Sequence, residues 1–501
     1  MFRIKRVCID TLSEHVLFIH ESAAKTGSLG FHPLDRVRVV EATSPGGPAR
    51  EVIGVLNFCR DSLVTPEEVG LSEDAFHDLG LPEGAHVHAT IAPAPRSVDL
   101  VREKLAGAKL NAADFKAILG DVVRHRYSKI ELSMFVLACA LRRLDLPELV
   151  ALTRAMIDTG ARLDFGSGPI ADKHCVGGVP GNRTTMVVVP ILAALGVRVP
   201  KTSSRAITSP AGTADTMAMV AEVALSPQRL RDVVEKAGAC IAWGGALGLA
   251  PADDILITVE RPMELDTEAQ MVASILSKKK TAGATHALID IPVGPSAKVR
   301  TAAAAQRLAS LFRAVAEEIE IAVEVVVTDA PGPVGFGIGP LLEARDVLAV
   351  LRREPGAPVD LREKSLFLAS RVIELVGAAP PATGYRLAQQ TLDSGAAEQA
   401  FQRIVEAQGA RELPPAAAHR VPVESPSDGR IRGIDCLEIA RVAKRAGAPA
   451  NVAAGVRLLH TVGDVVSRGE LLFEIHAQSA AQLEFARAYA RERVDLIRFG
   501  Y

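Results

Sequence analysis

The sequence predicts an α/β core with a helical domain, a small N-terminal β-barrel-like module and a C-terminal α+β module. Three observations carry this expectation. From about residue 168 to 345, β-rich apolar runs alternate with helical segments, the pattern of a largely parallel sheet covered by helices. From Val98 to Gly160 the pattern is helical throughout. Residues 1 to about 90 read as short β-rich runs bounded by turn residues. The boundaries that follow are 1–92 for the β-rich module, 97–165 for part of the helical domain, 168–412 for the α/β domain and 427–501 for the C-terminal module.

Within the first module, Val37–Val40 and Val52–Phe58 are β-rich and flank the turn residues Ser44-Pro45-Gly46-Gly47. Leu81-Pro82-Glu83-Gly84 turns into the alternating run Ala85–Ile91, and Ala92-Pro93-Ala94-Pro95 reads as a linker. In the helical region, Asn111 with Asp114 and Ser128 with Glu131 fit N-terminal capping signals, and Asp145 ahead of Pro147 fits another. In the core, Val187–Val189, Ile255–Val259 and Ile321–Thr328 are candidate strands, and Gln228–Lys236, Glu268–Lys280 and Thr301–Glu318 candidate helices. Ser226-Pro227 suits the start of the first of these helices. Further helices are expected over Leu341–Arg352, Lys364–Val376 and Ala396–Ala407. Leu413–Pro426 reads as a second linker, followed by a helix at Leu437–Ala446 and strands near Gly455–Leu459 and Leu471–Ile475.

Bulk composition excludes several function classes. The 501 residues suggest about three or four domains. With 48% hydrophobic residues but only 4% aromatic, the core must be built from Ala, Val, Leu and Ile. A formal net charge of −2 leaves no global footprint for nucleic acid or an anionic membrane, so any anion site must be local. The six cysteines form no CxxC pair, which implies neither a disulfide framework nor a zinc site and fits a reduced cytoplasm. The N-terminus has no apolar secretion segment. The longest apolar run, Met186–Val197, is interrupted by Pro190 and Gly196 and falls short of the ~20 residues a bilayer span needs. His86 and His88 alternate on a strand with no evident third ligand, so no metal is expected.

The chemistry concentrates in residues 172–215. Asp172-Lys173-His174-Cys175-Val176-Gly177-Gly178-Val179-Pro180-Gly181 is a Gly-rich loop followed by Asn182-Arg183-Thr184-Thr185. Glycines let backbone N–H groups converge on an oxyanion, hydroxyls add neutral donors and Lys173 a point charge. A helix starting near Asn182 would add its positive end. A second cluster, Lys201-Thr202-Ser203-Ser204-Arg205-Ala206-Ile207-Thr208-Ser209-Pro210-Ala211-Gly212-Thr213-Ala214-Asp215, repeats the hydroxyl-, Gly- and cation-rich character. A single Gly-rich loop is more often a plain turn than a ligand site; two in one α/β region favour anion binding. Neither matches a Walker A loop or GxGxxG.

Together with EAQMVASILSKKKTAG and TDAPGPVGFGIGPLLEARD, these motifs resemble the thymidine/pyrimidine-nucleoside phosphorylase family over roughly residues 97–490. SSRAITS, GGVPG and the additional N-terminal module lean toward the branch that includes AMP phosphorylase. The resemblance implies displacement by inorganic phosphate at the ribose anomeric carbon, with phosphate as co-substrate and no cofactor. Lys173, Ser203 and Thr213, with Gly178 and Thr185 nearby, match phosphate-holding positions. Asp266 matches the proton donor to the leaving base; its competing reading is an N-cap of the following helix. Ser274 and Lys298 match ligand positions, and Lys278 a residue facing the base, with Lys279 and Lys280 on the surface. Ser204, Arg205, Ala206, Ile207, Thr208 and Ser209 match the nucleotide-binding stretch, where Arg205 would meet a 5′-phosphate. His174 is either a ligand contact or a structural hydrogen-bonder, and Trp243 reads as core or a loop wedge.

The chain departs from the family in three places. Cys175 replaces the usual serine, a weaker donor. Asn182-Arg183 stands for Asp-Lys, keeping a cation. The thymidine-type L-Y-x-x-R-D is absent, the region reading Ile255-Leu256-Ile257-Thr258-Val259-Glu260-Arg261. The implied substrate is a nucleoside 5′-monophosphate of AMP type or a nucleoside, with thymidine or pyrimidine nucleoside cleavage as the alternative. A phosphoribosyltransferase lacks support, since no G-T-G-G-D loop or acidic pair for magnesium stands in a matching place. A non-catalytic nucleotide-binding module is kept open by Cys175. By resemblance the partners are a small nucleoside or nucleotide and phosphate, without nucleic acid or membrane, in a homodimer or larger homo-oligomer.

Overall fold

The computed structural model describes residues 1–11, 14–26, 30–42, 49–206, 209–263, 265, 267–493 and 495–500. They form two compact units, 1–159 with 251–270, and 160–250 with 271–501.

The first unit opens with strands β1 (Phe2–Arg6), β2 (Val16–His20), β3 (Arg36–Glu41), β4 (Glu51–Cys59), β5 (Glu68–Leu71) and β6 (His86–Ile91), with short helices α1 (Glu21–Thr26) and α2 (Glu73–Leu79). The strands close into a barrel in the order β1-β5-β2-β4-β3-β6. Closure leaves no edge strand unpaired, and alternate residues such as Val37 and Val39 fill its core with Leu17, Leu56 and Val69.

Four helices follow: α3 (Ser97–Ala106), α4 (Ala112–Val123), α5 (Lys129–Leu141) and α6 (Leu146–Thr159). Both expected capping boxes form: Asn111 with Asp114, and Ser128 with Glu131, each satisfy orphan N–H groups of a first turn. Asp145 Oδ1 accepts from the Glu148 N–H at 3.0 Å, the third expected cap.

In the second unit, β7 (Ala171–Cys175), helix α7 (Thr185–Ala194), β8 (Val199–Ser203), α8 (Thr213–Met217), α9 (Pro227–Ala237) and β9 (Ala239–Trp243) come first. Helix α10 (Pro251–Met263) returns to the first unit, packing on α4, α5 and α6. Then come α11 (Glu268–Thr281), β10 (His286–Val293), α12 (Ala302–Glu318) and β11 (Ala322–Asp329). The strands β11, β10 and β7 pair in parallel, as do β8 and β9, and a parallel bridge from Ile170 to Arg198 joins the two sets.

Two candidate strands are helical. Val187–Val189 lies inside α7, nearly all of whose side chains are buried; with no solvent face there is no periodicity, and burial overrides the β-preference of valine. Ile255–Val259 lies inside α10, where buried Ala252, Leu256 and Val259 are spaced as one helical stripe.

Short strand β12 (Gly337–Ile338) and helices α13 (Pro340–Arg352), α14 (Val359–Leu375), α15 (Gly384–Asp393) and α16 (Ala396–Gln408) follow. The C-terminal module holds β13 (His419–Glu424), β14 (Gly429–Ile434), α17 (Cys436–Arg445), β15 (Gly455–Leu458), β16 (Val465–Val466), β17 (Leu471–Ala477), α18 (Ala480–Glu492) and β18 (Ile497–Gly500). Its sheets run β12-β15-β17-β13 and β16-β14-β18. The stretch 413–426, expected as a linker, therefore contains β13, an edge strand that tolerates Pro422. Among the described residues no helix is long and apolar enough to cross a membrane.

Candidate functional site

The first loop leaves the carboxyl end of β7, the place where open parallel sheets present ligand sites. Gly177, Gly178 and Gly181 have φ of +102°, +85° and +70°, a backbone region that glycine enters without a Cβ penalty. A Cβ on Gly178 would stand 2.4 Å from the Lys298 backbone nitrogen, so the loop lies directly against Ala297-Lys298 and brings exposed Lys298 beside it.

Lys173 is buried and its Nζ donates to Thr184 Oγ1 at 2.7 Å; burial pushes its ammonium pKa down. His174 is held neutral by burial, reinforced by Lys279, Lys201, Lys173 and Lys278. Burial also raises the Cys175 thiol pKa, and its Sγ accepts from Asn182 Nδ2 at 3.2 Å. Buried Thr185 opens helix α7. The helix expected near Asn182 thus starts three residues later.

The second loop leaves β8 after Ser203. Asp215 organises it, accepting from the N–H groups of Ala206 at 2.6 Å and Gly212 at 2.9 Å and pairing with Arg205 at 3.3 Å. A Cβ on Gly212 would stand 2.5 Å from the Ser204 carbonyl oxygen, so only glycine closes this loop. The Arg205 side chain is 48% exposed, with its guanidinium 4.9 Å from the centre of the Trp243 ring. Trp243 is thus partly buried and also a platform for a cation. Ser204 is exposed, Ser209 donates to the Ala211 carbonyl at 2.7 Å, and Thr213 opens α8. Ile207 and Thr208 lie outside the described residues.

Arg183 ties the two loops together. It donates to Ala211 O at 2.7 Å and Thr213 Oγ1 at 3.3 Å, and pairs with Glu343 of α13. Burial raises the Glu343 carboxyl pKa, and Arg183 opposes that rise. The cation expected at Arg183 is kept, and it pairs with Glu343 inside the fold.

Helix α11 carries Ser274 and Lys278, both half-buried and four residues apart, hence on one face. Lys279, expected on the surface, is buried: its Nζ lies 2.7 Å from Asp172 Oδ2, while Lys201 Nζ lies 3.3 Å from Oδ1. Burial pushes the Lys279 ammonium pKa down and Asp172 pulls it back. Asp172 thus faces Lys201 and Lys279 on β7, the strand that also carries Lys173 and leads into the first loop. Lysine side chains outnumber carboxylates around β7, with Lys173, Lys201, Lys279 and Lys364 against Asp172 and Asp290, while burial weakens the charge of Lys173 and Lys279. Sequence reasoning assigned no role to Asp172 or Glu343 and read Lys279 as surface; charged residues at buried strand and helix positions were the available signal.

Asp266 lies outside the described residues. Its competing role is filled by Thr267, whose Oγ1 accepts from the Gln270 N–H at 3.2 Å at the start of α11. His86 and His88 are both exposed on β6.

Comparisons with known proteins agree with this architecture. Residues 98–160 match the glycosyl transferase family helical bundle domain, 167–398 the glycosyl transferase family a/b domain, and 430–496 the pyrimidine nucleoside phosphorylase C-terminal domain. A relative from Polaromonas sp. is 49% identical over 99% of this chain and 96% of its own length. One from Methylococcus capsulatus is 46% identical over 98% and 94%. Both carry the name "Putative thymidine phosphorylase". The crystal structure of anthranilate phosphoribosyltransferase from Thermus thermophilus superimposes with a TM-score of 0.53 at 20% identity, covering 62% of this chain and 99% of that one. At that identity the likeness concerns the fold alone.

Proposed function

The chain belongs to the thymidine phosphorylase family, and within it we propose that this enzyme cleaves the N-glycosidic bond of a nucleoside 5′-monophosphate of AMP type. Inorganic phosphate is the nucleophile. A phosphate oxygen bonds to C1′ as the C1′–N bond breaks, and the bonding pair leaves with the base. The products are free base and ribose 1,5-bisphosphate. No side-chain nucleophile is required; the chain holds the anion under the sugar and stabilises an oxocarbenium-like transition state.

Lys173, Gly178, Thr185, Ser203 and Thr213 are assigned to phosphate, with His174 and Cys175 lining the same loop. Lys298 lies against that loop through the close approach at Gly178. Ser274 and Lys278 are assigned to the ribose and base, and Asp266 gives the base nitrogen its proton.

The observation that carries the monophosphate is Arg205. Its guanidinium is half-exposed, oriented by Asp215 and set over Trp243 on a loop separate from Lys173. That is a second cation presented for a second phosphate. The relatives' printed name favours another reading, cleavage of thymidine to thymine and 2-deoxyribose 1-phosphate.

One panel of nucleosides and 5′-monophosphates, each assayed for phosphate-dependent base release, separates the two. Turnover of AMP or CMP well above that of the nucleosides is expected. Arg205→Ala should lower kcat/KM for the monophosphate by about 10- to 150-fold, the loss of a charge-assisted contact of about 1.5–3 kcal/mol, and leave the nucleoside value unchanged. Efficient thymidine cleavage without use of either monophosphate would sink the reading. Base release from no substrate would favour a nucleotide-binding module.

A further inference from the structure

Away from the phosphate loops, the first unit gathers three ligand-type side chains from three separate segments. His15 precedes β2, Asp78 lies in α2, and His125 lies between α4 and α5. His15 Nε2 lies 2.9 Å from Asp78 Oδ2, and His125 Nε2 lies 4.0 Å from the same oxygen. All three donor atoms fall within 4.8 Å of one another. Zinc bonds of about 2.0–2.2 Å at tetrahedral angles hold ligand atoms roughly 3.3 Å apart, inside the range seen here.

The hydrogen bonding at His15 points to a cation. Its Nδ1 faces the Ile53 carbonyl at 3.2 Å, and a carbonyl only accepts, so the tautomer that satisfies this contact is the one protonated at Nδ1. In the neutral ring Nε2 then presents a lone pair, and it presents it to a carboxylate oxygen at 2.9 Å. Two acceptors do not sit at that distance without a positive centre joining them. An added proton on His15 is one such centre. A metal ion is the other, and it also accounts for the second ring. His125 stacks on His15 with centroids 4.1 Å apart and planes 28° from parallel, so that both Nε2 atoms approach one carboxylate oxygen.

His125 is placed there at a conformational cost. Its φ is +53°, a left-handed backbone for a non-glycine residue. Its carbonyl is gripped by the Arg36 guanidinium, whose charge is answered by Glu131 at 3.5 Å. His15 is buried at 5% exposure, whereas the Asp78 side chain is 56% exposed, leaving solvent access for a water as fourth ligand.

We propose that His15, Asp78 and His125 form a binding site for a divalent transition-metal ion of zinc type, which ties the barrel to the turn between α4 and α5. This departs from the metal-free expectation of the sequence. It stands apart from the phosphorolysis reading, since none of the three residues serves that reaction. Two imidazoles with one carboxylate suit zinc, cobalt or nickel rather than calcium or magnesium, which prefer all-oxygen shells.

The test uses the full-length protein, stripped with EDTA and titrated with zinc. One zinc should remain bound per chain after dialysis, and its addition should raise the unfolding temperature. In His125→Asn both the retained zinc and the temperature rise should vanish. Should that variant fail to fold, Asp78→Asn, an exposed position, carries the same expectation. His86→Asn, at an exposed barrel histidine, should change neither. Cobalt bound in zinc's place should show the spectrum of nitrogen and oxygen ligands without a thiolate band. No retained zinc in the wild type overturns the proposal and leaves a proton bridging His15 and Asp78. Zinc retained undiminished in His125→Asn, or a thiolate band, places the metal elsewhere and overturns it equally.

Discussion

Cys175 tests the proposed phosphate loop at the level of one atom. The resembling family has serine here, and sulfur is a weak hydrogen-bond partner. In this chain the thiol stays protonated in its buried setting and takes a hydrogen bond from Asn182. Cys175→Ser substitutes a stronger donor at nearly the same place. A gain of about 1 kcal/mol in phosphate contact corresponds to roughly a fivefold lower KM for phosphate, with kcat little changed. Steady-state kinetics with varied phosphate measures it; an unchanged KM would show that the side chain at position 175 makes no contact with phosphate. The same residue explains part of what the sequence could and could not disclose. The loop's glycines, hydroxyls and Lys173 were legible because their types suit an anion wherever they fold. The pairing of Asp172 with Lys279, 107 positions apart, was not, because only the β7–α11 packing brings them together.

At the scale of elements, the segment Gly335–Gly337 is latched to helix α13. Asp346 Oδ2 accepts from the N–H groups of Phe336 and Gly337, both at 2.7 Å. Burial dominates and pushes the carboxyl pKa up to about 6, with the two N–H donors opposing it. A carboxyl raised in the folded state favours its neutral form there. Its stabilising contribution is therefore complete below its ordinary pKa and is lost as the pH rises through about 6, by up to roughly 3 kcal/mol. Asp346→Asn keeps an acceptor oxygen for both N–H groups and removes the titration. Denaturant unfolding across about pH 4 to 7 should show the variant gaining on the wild type as pH rises, and parallel curves for the two would refute the assignment. The sequence carries no sign of this latch, since an acid at the seventh residue of an amphipathic helix ordinarily faces water. It likewise hid β7 and β8, whose short runs carry Asp172, Lys173 and Lys201 at buried positions and so lack an apolar pattern.

At the scale of the whole molecule, the consequential misreading is α10. Taken as a strand, Ile255–Val259 belonged to the α/β core; as a helix it belongs to the first unit, with 160–250 inserted ahead of it. The helical domain is therefore discontinuous: its first stretch, expected to end at 165, ends at 159, and 251–270 completes it. Leu256 and Val259 are buried. Burying such side chains stabilises by about 1.5–3 kcal/mol each, against a typical total of about 5–15 kcal/mol. A fragment of residues 1–160 also leaves exposed the surfaces of α4, α5 and α6 that α10 covers. That fragment should lack a cooperative unfolding transition, and joining residues 251–270 to its end through a flexible linker should restore one. Thermal unfolding followed by circular dichroism decides it. If 1–160 alone unfolds as cooperatively and at the same temperature as the linked form, α10 is dispensable to the first unit. Recovery on linking would instead show that the chain must complete the α/β segment 160–250 during synthesis before the helical domain can close.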